Sequence, residues 1–523
     1  MSNPWIDLPD EFHAGVDPAH PERSDTATHM ERFRSIRHGE AYLAWSRYQS
    51  IATIYDQLVV NSDGGFFIDR YTEMVTRVCR EDAITRYRAD QWVGEALCLR
   101  DRLPKVATTL RDGILSRELI QTVIARTDLI SDDAVIADLD TDIEHSLRSR
   151  KGAWSKLTLR DMVDRLVFRH DPDAVRERRR ETLDKRGVWT DNFIDGTGEI
   201  TGVMAAENIR IAEKAVKALA DTVCAHDGRK RNQRNSDAMF ALLTGTIFEC
   251  QCGRDDCDAE IPDPAEVVRS VSTEIVIHVV TDAAVIEGAP GIGWVDGHGV
   301  VSDEHVRDLA NRPDAIIKPV TPVRTPPVRV VADDASDASS TEVVFVYPGA
   351  QAADPYRPTT ACAEFVRVRD GYCIEPGCPC SSFDSDLDHV TEYDRTNPAR
   401  GGATSSENLN AKCRFGLLHK TFGDWIDLQY RDDDGRLVTE FVTPEGFTIL
   451  GDAETLEDFF PNLRRIRYEQ PPQAPPTPRV IAGDDTPPTT NRLASKHARR
   501  RAERARNRRE RERREEIDGP PPF

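Results

Sequence analysis

The feature that most constrains the fold of this chain is the grouping of its cysteines. Most of the eleven cysteines fall into two groups, at residues 250–257 and 373–413. The cysteine count is odd, and the first residues lack the basic and apolar run of a signal peptide, which argues against a disulfide framework and for a reducing, cytoplasmic location. The stretch 373–413 is too small to hold a core of its own. A tetrahedral zinc bound by Cys373, Cys378 and Cys413 could therefore hold its two ends together.

A second set of polar side chains lies between and just beyond these thiols. Asp388, His389 and Asn408 supply a carboxylate, an imidazole and an amide, and His419 supplies a second imidazole. These groups are the ones needed to bind a divalent metal, take a proton from water and orient that water toward a phosphodiester. The residues therefore predict a hydrolytic site within a separate Cys/His/Gly-rich unit at 361–425.

The order Asp388-His389, Asn408 and His419 resembles that of the HNH endonucleases, which have a ββα-metal fold. Residues 174–221 and 232–243 resemble the helical domain of unknown function 222, which precedes HNH units in many actinobacterial proteins. These resemblances imply a mainly α protein with a smaller α+β part. A helical domain would be followed by a zinc-stabilised ββα-metal domain and by a basic tail that is disordered or helical.

The HNH resemblance also implies a role for each site residue. His389 would be the general base that accepts the proton of the attacking water. Asp388 and His419 would bind the catalytic divalent ion, which would be Mg²⁺, Mn²⁺ or Zn²⁺. Asn408 would orient His389 or complete the metal site. The expected activity is hydrolysis of DNA phosphodiester bonds.

The helix after Cys413 departs from the pattern of the HNH family. Relatives commonly read Cys-x-x-His-His, but Gly416 and Leu417 stand at the two histidine positions here. His419 lies two residues beyond position 417, about 200° further around a helix, so it cannot simply replace that ligand. Cys380 is the expected substitute for the fourth zinc ligand. Two alternatives follow: a nuclease with rearranged ligands, or a decayed nuclease that acts as a zinc-stabilised DNA-binding or protein-interaction module.

The cysteines at 250–257 leave two alternatives open. Together with Cys224 and His226 upstream, they could hold a second zinc. Their spacing is irregular, however, and Asp255, Asp256 and Asp258 lie among them, so a loop of free thiols is the other interpretation.

Composition and periodicity predict five segments along the chain. These are a disordered leader (1–29), a helical domain ending in an α/β part (30–348), an HNH domain with its following hairpin (361–450), a proline-rich linker (469–490) and an Arg/Glu-rich tail (491–523).

Local patterns support this division into segments. Leu103, Val106 and Leu110 recur at helical spacing, Gly113 ends that helix, and Ser116 is placed to cap the next one. The β-branched runs 272–281 and 342–348 predict strands. Segments 425–430 and 437–443 flank a turn and predict a hairpin.

The distribution of charge limits where DNA could bind. The net charge of −21 excludes a protein that is basic all over. Residues 492–514, however, contain twelve Lys or Arg and three Glu, a net charge of +9, which leaves −30 elsewhere. Arg499, Arg500, Arg501 and Arg504 are therefore predicted to contact DNA. The acidic remainder favours a protein partner for the helical domain, and no segment is apolar enough to cross a membrane.

Overall fold

The computed structural model describes most of the chain up to residue 470. The described residues are 13–17, 19–61, 69–193, 196–267, 276–313, 315–320, 328–332, 341–395, 398 and 401–470. The predicted tail, the linker from 471 onward and the first twelve residues of the leader lie outside them. The same holds for the four predicted DNA contacts Arg499, Arg500, Arg501 and Arg504, which therefore stay predictions.

The described part of the chain is mainly helical. Its helices are α1 (Thr26–Tyr55), α2 (Arg70–Glu81), α3 (Arg86–Asp101), α4 (Pro104–Arg111), α5 (Arg117–Thr127), α6 (Asp133–Ser149), α7 (Lys156–His170), α8 (Pro172–Asp184), α9 (Ala206–Ala220), α10 (Arg231–Thr244), α11 (Ala283–Ile286), α12 (Asp303–Ala310), α13 (Thr360–Asp370), α14 (Arg414–Phe422) and α15 (Leu456–Phe459). Within the described residues, no helix is both long and apolar enough to cross a membrane.

The strands form small sheets. They are β1 (Gly187–Asn192), β2 (Gly198–Val203), β3 (Val279–Thr281), β4 (Ile292–Val295), β5 (Gly299–Ser302), β6 (Val328–Ala332), β7 (Thr341–Pro348), β8 (Asp386–His389), β9 (Leu409–Lys412), β10 (Ile426–Arg431), β11 (Leu437–Val442), β12 (Thr448–Leu450) and β13 (Ile466–Glu469). The sheets are β1-β2, β3-β4-β5, β6-β7-β13, β8-β9 and β10-β11-β12. The pairs β1-β2, β4-β5, β6-β7, β8-β9, β10-β11 and β11-β12 are antiparallel, and β7 pairs with β13 in parallel.

Several local predictions are confirmed by these elements. Val106 and Leu110 are fully buried on α4, and Gly113 follows at φ +74°. Ser116 caps α5, because its hydroxyl accepts a hydrogen bond from the backbone N–H of Leu119. The predicted hairpin is the antiparallel pair β10-β11. Of the run 272–281, residues 272–275 lie outside the described residues, and β3 covers 279–281.

The contacts divide the described chain into two compact units. Residues up to 175 and from 280 onward form the first unit, and residues 176–279 form the second. Helices α1–α7 bury one large apolar core in the first unit. Sequence composition suggested a boundary between these helices and the cysteine-rich segment, but the described packing joins them.

A buried polar network links α7 to the carboxy-terminal part of the first unit. Asp161 on α7 accepts hydrogen bonds from Trp294 Nε1 at 3.1 Å and Tyr372 Oη at 2.9 Å. Glu454 binds Arg165 at 2.8 Å and Arg150 at 2.7 Å. Burial raises the pKa of both carboxyl groups. The segment after residue 280 is therefore positioned directly by the helical bundle.

The second unit is small. Helices α9 and α10 pack together, and β1 pairs with β2 as a hairpin. Its core contains Ala215, Leu219, Ala220, Ala238, Ala241, Phe248 and Val267. Residues 246–262 run past this core with neither helix nor strand.

Candidate metal centres and nuclease-like site

The predicted site residues lie on two strands and one helix. Strands β8 and β9 are antiparallel, with Asp388 opposite Asn410 and His389 opposite Leu409. Helix α14 begins directly after β9, and the Cys413 thiol caps it by accepting a hydrogen bond from the N–H of Gly416 at 3.4 Å. The local order is therefore strand, strand, helix.

Three of the predicted zinc ligands come together at the start of this helix. The sulfur atoms of Cys373, Cys378 and Cys413 all lie within 4.8 Å of one another. The sulfur atoms of Cys378 and Cys413 are 3.9 Å apart, and the Cys413 N–H donates to the Cys373 sulfur at 3.2 Å. The interaction with Cys373 raises the pKa of the Cys378 thiol, and burial raises it further. This group could hold a metal such as zinc.

Cys380 and position 416 define what surrounds the three thiols. Cys380 is exposed and lies outside the set of three, although its thiol interacts with those of Cys378 and Cys413. A Cβ atom on Gly416 would lie 2.8 Å from Glu375 Cγ. The carboxylate of Glu375 thus fills the space beside the glycine, where it binds Lys412 at 2.8 Å. Cys380 as fourth ligand stays a prediction.

The carboxylate of Asp388 is already paired with a cation of the chain. Lys420 Nζ lies 2.5 Å from Asp388 Oδ2, and it donates to the backbone oxygen of His389 at 2.5 Å. Further contacts reach the Val390 oxygen at 3.3 Å and Asp427 Oδ2 at 3.4 Å. The Lys420 side chain is only 4% exposed. An ammonium group therefore lies against the oxygen that the HNH resemblance assigns to the catalytic ion.

His389 is buried and held in one orientation. Its Nε2 lies 2.9 Å from Thr404 Oγ1, and its ring stacks on that of Tyr356. The Thr404 hydroxyl donates to the Pro355 backbone oxygen at 2.6 Å, so its oxygen must accept from His389 Nε2–H. The neutral ring then carries its lone pair on Nδ1. Burial lowers the pKa of His389 to about 4, so the imidazole is neutral at pH 7.

Asn408 supports the loop between β8 and β9. Its Oδ1 accepts from the Thr391 N–H at 2.8 Å, and its Nδ2 donates to the Thr391 and Ala403 oxygens at 3.0 and 2.8 Å. A Cβ atom on Gly402 would come within 2.4 Å of Asn408 Nδ2, so this packing requires glycine. The amide is thus bonded to backbone groups. Its predicted role beside His389 or the metal stays a prediction.

His419 packs between aromatic rings. Its ring lies 5.9 Å from Phe415, nearly parallel to it, and 5.1 Å from Trp425. The residue of α14 that contacts Asp388 is Lys420, which sequence reasoning did not single out. A signal was present, because residue 420 lies three positions after 417 and so shares its helix face.

The second cysteine group is also assembled, within the second unit. The sulfur atoms of Cys224, Cys250, Cys252 and Cys257 all lie within 4.8 Å of one another. Of the two interpretations of this segment, the described geometry fits the metal site, since all four thiols converge on one point. This group could hold a metal such as zinc.

The fold and the thiol groups together define a class of chain: a mainly helical protein with two cysteine sites that could bind metal. Residues 68–326 match the model of the family described as "Domain of unknown function (DUF222)", so the chain carries this domain. The resemblance of the later segment to HNH nucleases has no matching family model and stays a prediction.

Relatives of the chain occur in Mycobacterium tuberculosis. Strain H37Rv has the "Uncharacterized protein Rv3776", 28% identical over 494 residues, which are 93% of this chain and 89% of that protein. The same strain has the "Uncharacterized protein Rv2100", 28% identical over 397 residues, 71% of this chain and 67% of that protein. No solved structure matches the chain.

Proposed function

We propose that the segment 373–425 is a zinc-stabilised module, derived from an HNH nuclease, that binds DNA without cutting it. The observation that carries the absence of cutting is the ion pair between Lys420 and Asp388. The same pair argues that a catalytic divalent ion does not fit this site.

The ion pair is costly to displace. An ammonium group has three N–H donors, and the close oxygens around Lys420 Nζ, from Asp388, His389 and Val390, account for all of them. A divalent ion at Asp388 would have to expel a cation from an enclosed position, leaving its buried partners unpaired. Leu417 has no ligand atom, and His419 belongs to neither of the two groups of described side chains that converge closely enough to hold a metal.

DNA is the favoured partner because the positive charge is concentrated in one segment. The twelve Lys and Arg of residues 492–514 would release counterions from the phosphate backbone on binding. Near His389, the Arg395 guanidinium lies 4.2 Å from the centre of the exposed Tyr356 ring. Such an aromatic–arginine pair suits contact with a nucleic acid strand.

The proposal is tested with purified full-length protein and a supercoiled plasmid. Incubations contain Mg²⁺, Mn²⁺, Zn²⁺ or a chelator, and nicking and linearisation are read on gels. Binding to a labelled duplex is measured in parallel by fluorescence anisotropy at several salt concentrations. We expect binding that weakens steeply with salt, and no metal-dependent cleavage.

The His389→Ala variant serves as the matched control. Cleavage by the wild type that disappears in this variant would overturn the non-cutting proposal. An absence of DNA binding at low salt would overturn the choice of DNA as partner and favour a protein partner for the acidic helical domain.

A second candidate function, DNA hydrolysis, is favoured by one specific observation. His389 is neutral, and its hydrogen bond from Nε2–H to Thr404 leaves Nδ1 as the acceptor. A general base needs a lone pair in a fixed direction and a pKa below the working pH. The same plasmid assay separates the two candidate functions. A hydrolase would cut the plasmid and would lose this activity in His389→Ala, which lacks Nδ1, whereas a DNA-binding module would cut in neither form.

A further inference from the structure

Four thiols meet in the second unit, far along the chain from the cysteines at 373–413. Cys224 follows the end of α9, and Cys250, Cys252 and Cys257 follow the end of α10. The sulfur atoms lie within 4.8 Å of one another, and those of Cys224 and Cys250 are 3.5 Å apart. A tetrahedral zinc with Zn–S bonds of about 2.3 Å requires sulfur separations of about 3.8 Å. The four thiols are thus close to the required arrangement.

Backbone groups two residues further along favour the thiolate forms of Cys224, Cys252 and Cys257; they belong to His226, Arg254 and Ala259. Contacts among the thiols, together with burial, nevertheless raise the pKa of Cys224 and Cys257, as expected where several sulfur atoms crowd together with no cation between them. Gly253 makes the turn after Cys252 with φ +65°, a conformation that favours glycine. Backbone groups placed beside the thiols in this way help to orient the ligands of a metal.

A buried ion pair joins the two loops that carry the thiols. Asp227 accepts from the Arg229 N–H at 2.9 Å and from the Gln251 N–H at 2.8 Å. The Arg229 guanidinium pairs with Asp227 at 2.8 Å and donates to the Glu249 oxygen at 2.7 Å. The loop after α9 and the segment after α10 are therefore tied together on one side of the thiol group.

The second unit also needs an additional cross-link. Its described core has seven buried apolar side chains, and residues 246–262 form neither helix nor strand. A small unit with little apolar core is commonly stabilised by a structural metal.

From these observations we infer that Cys224, Cys250, Cys252 and Cys257 bind a structural Zn²⁺ that fixes the segment after α10 to the end of α9. Four cysteine ligands leave no open position, so this zinc is structural. Four thiolates and one Zn²⁺ carry a net charge of −2. Arg254, which interacts with Cys252, Cys224 and Cys257, lies beside that charge and offsets part of it.

The inference is tested by metal analysis of the full-length protein and three variants. The wild type is expected to contain two zinc ions per chain, one at each cysteine group. Cys257→Ser should lose one of them, and Cys378→Ser should lose the other. The matched control is Cys79→Ser, which changes a thiol outside both groups and should keep both ions.

The Cys378→Ser protein keeps only the site at Cys224, Cys250, Cys252 and Cys257, so the metal of that site can be characterised while the second unit carries no substitution. Its remaining zinc should be lost when Cys257→Ser is added to it. Cobalt(II) exchanged into this single-site protein should give the strong visible bands of a tetrahedral thiolate complex. A Cys378→Ser protein without zinc, iron in place of zinc, or undiminished zinc in Cys257→Ser would each overturn the inference. Failure of the proposed DNA binding would leave these outcomes unchanged.

Discussion

At the scale of single residues, the pairing of Lys420 with Asp388 is the contact that bears most directly on function. The contribution of this ion pair to the stability of the fold can be measured, because both side chains are largely buried. Removing one partner of a buried ion pair typically costs about 3–5 kcal/mol, since the other charge stays buried without compensation. We expect Lys420→Met to lower the free energy of unfolding by about 3 kcal/mol in urea titrations.

Asp388→Asn supplies the control for this ion pair. The double variant Lys420→Met/Asp388→Asn should be more stable than the sum of the single changes predicts, by about 1–3 kcal/mol. Additive effects would show that Lys420 is held by its backbone contacts and not by Asp388. In that case the carboxylate would be available to an ion after all.

His389 should make stability depend on pH. Its pKa is lowered from 6.5 to about 4 in the folded protein, mainly by burial. Between these values the unfolded chain binds more protons than the folded one, so stability is complete above pH 6.5 and declines as the pH falls toward 4. We expect a loss of about 2 kcal/mol between pH 7 and pH 5.

The reference for this measurement is His389→Gln, whose amide can still donate to Thr404. Urea unfolding of both proteins is followed at several pH values. The difference in stability between wild type and variant should shrink as the pH is lowered. A difference that stays constant across this range would mean that the histidine titrates normally in the folded protein.

The limits of prediction at this scale are set by distance along the chain. The sequence pointed to the clustered cysteines, Asp388 and His389 as candidate site residues, because these residue types are informative by themselves. Lys420 went unnoticed because a lysine on a short helix is usually solvated. Its contact with Asp388 depends on the pairing of β8 with β9 and on the direction of α14, neither of which is encoded locally.

At the scale of elements, the strand–strand–helix segment is expected to depend on its metal. Three thiols join the turn before β8 to the start of α14. Cys378→Ser should remove one zinc and expose residues 373–425 to protease, while the helices α1–α7 stay resistant. Limited proteolysis with mass spectrometry locates the cleavages.

One result would contradict this prediction. If the variant keeps its zinc and its resistance to protease, Cys373 and Cys413 with another ligand must suffice. Adding Cys380→Ser to the variant then tests the predicted fourth ligand directly.

The elements themselves were largely predictable. The stripe on α4, the cap of α5 and the hairpin β10-β11 follow local periodicity and turn residues, and local patterns survive in the fold. For the second cysteine group the sequence left a zinc site and a loop of free thiols as alternatives, because the convergence of these irregularly spaced cysteines depends on the way α9 packs against α10.

At the scale of the whole molecule, the charged tail and the folded chain should act together on DNA. Changing Arg499, Arg500, Arg501 and Arg504 to alanine removes four charges that could neutralise phosphates. The slope of log K against log salt should then become shallower by up to about 4. Anisotropy titrations at several salt concentrations give this slope.

Lysine at the same four positions keeps the charge and should preserve the slope. Truncation after Gln470 should weaken binding further than the four alanines. Unchanged affinity and slope in the truncated protein would show that the tail does not contact DNA and that any binding comes from the folded part.

The parallel strand β13 fixes the position of Gln470, the last described residue. Gln470 follows β13 directly, and its side-chain oxygen accepts from the N–H of Thr404, the residue that also holds His389. The stretch between Gln470 and Arg492 spans at most about 80 Å even when fully extended. A duplex rises about 3.4 Å per base pair, so that reach corresponds to roughly 23 base pairs. If one duplex is bound both by the tail and by the surface around His389, the two protected stretches of DNA should lie within roughly 23 base pairs of each other. Shortening the segment before Arg492 should reduce the separation between these two stretches.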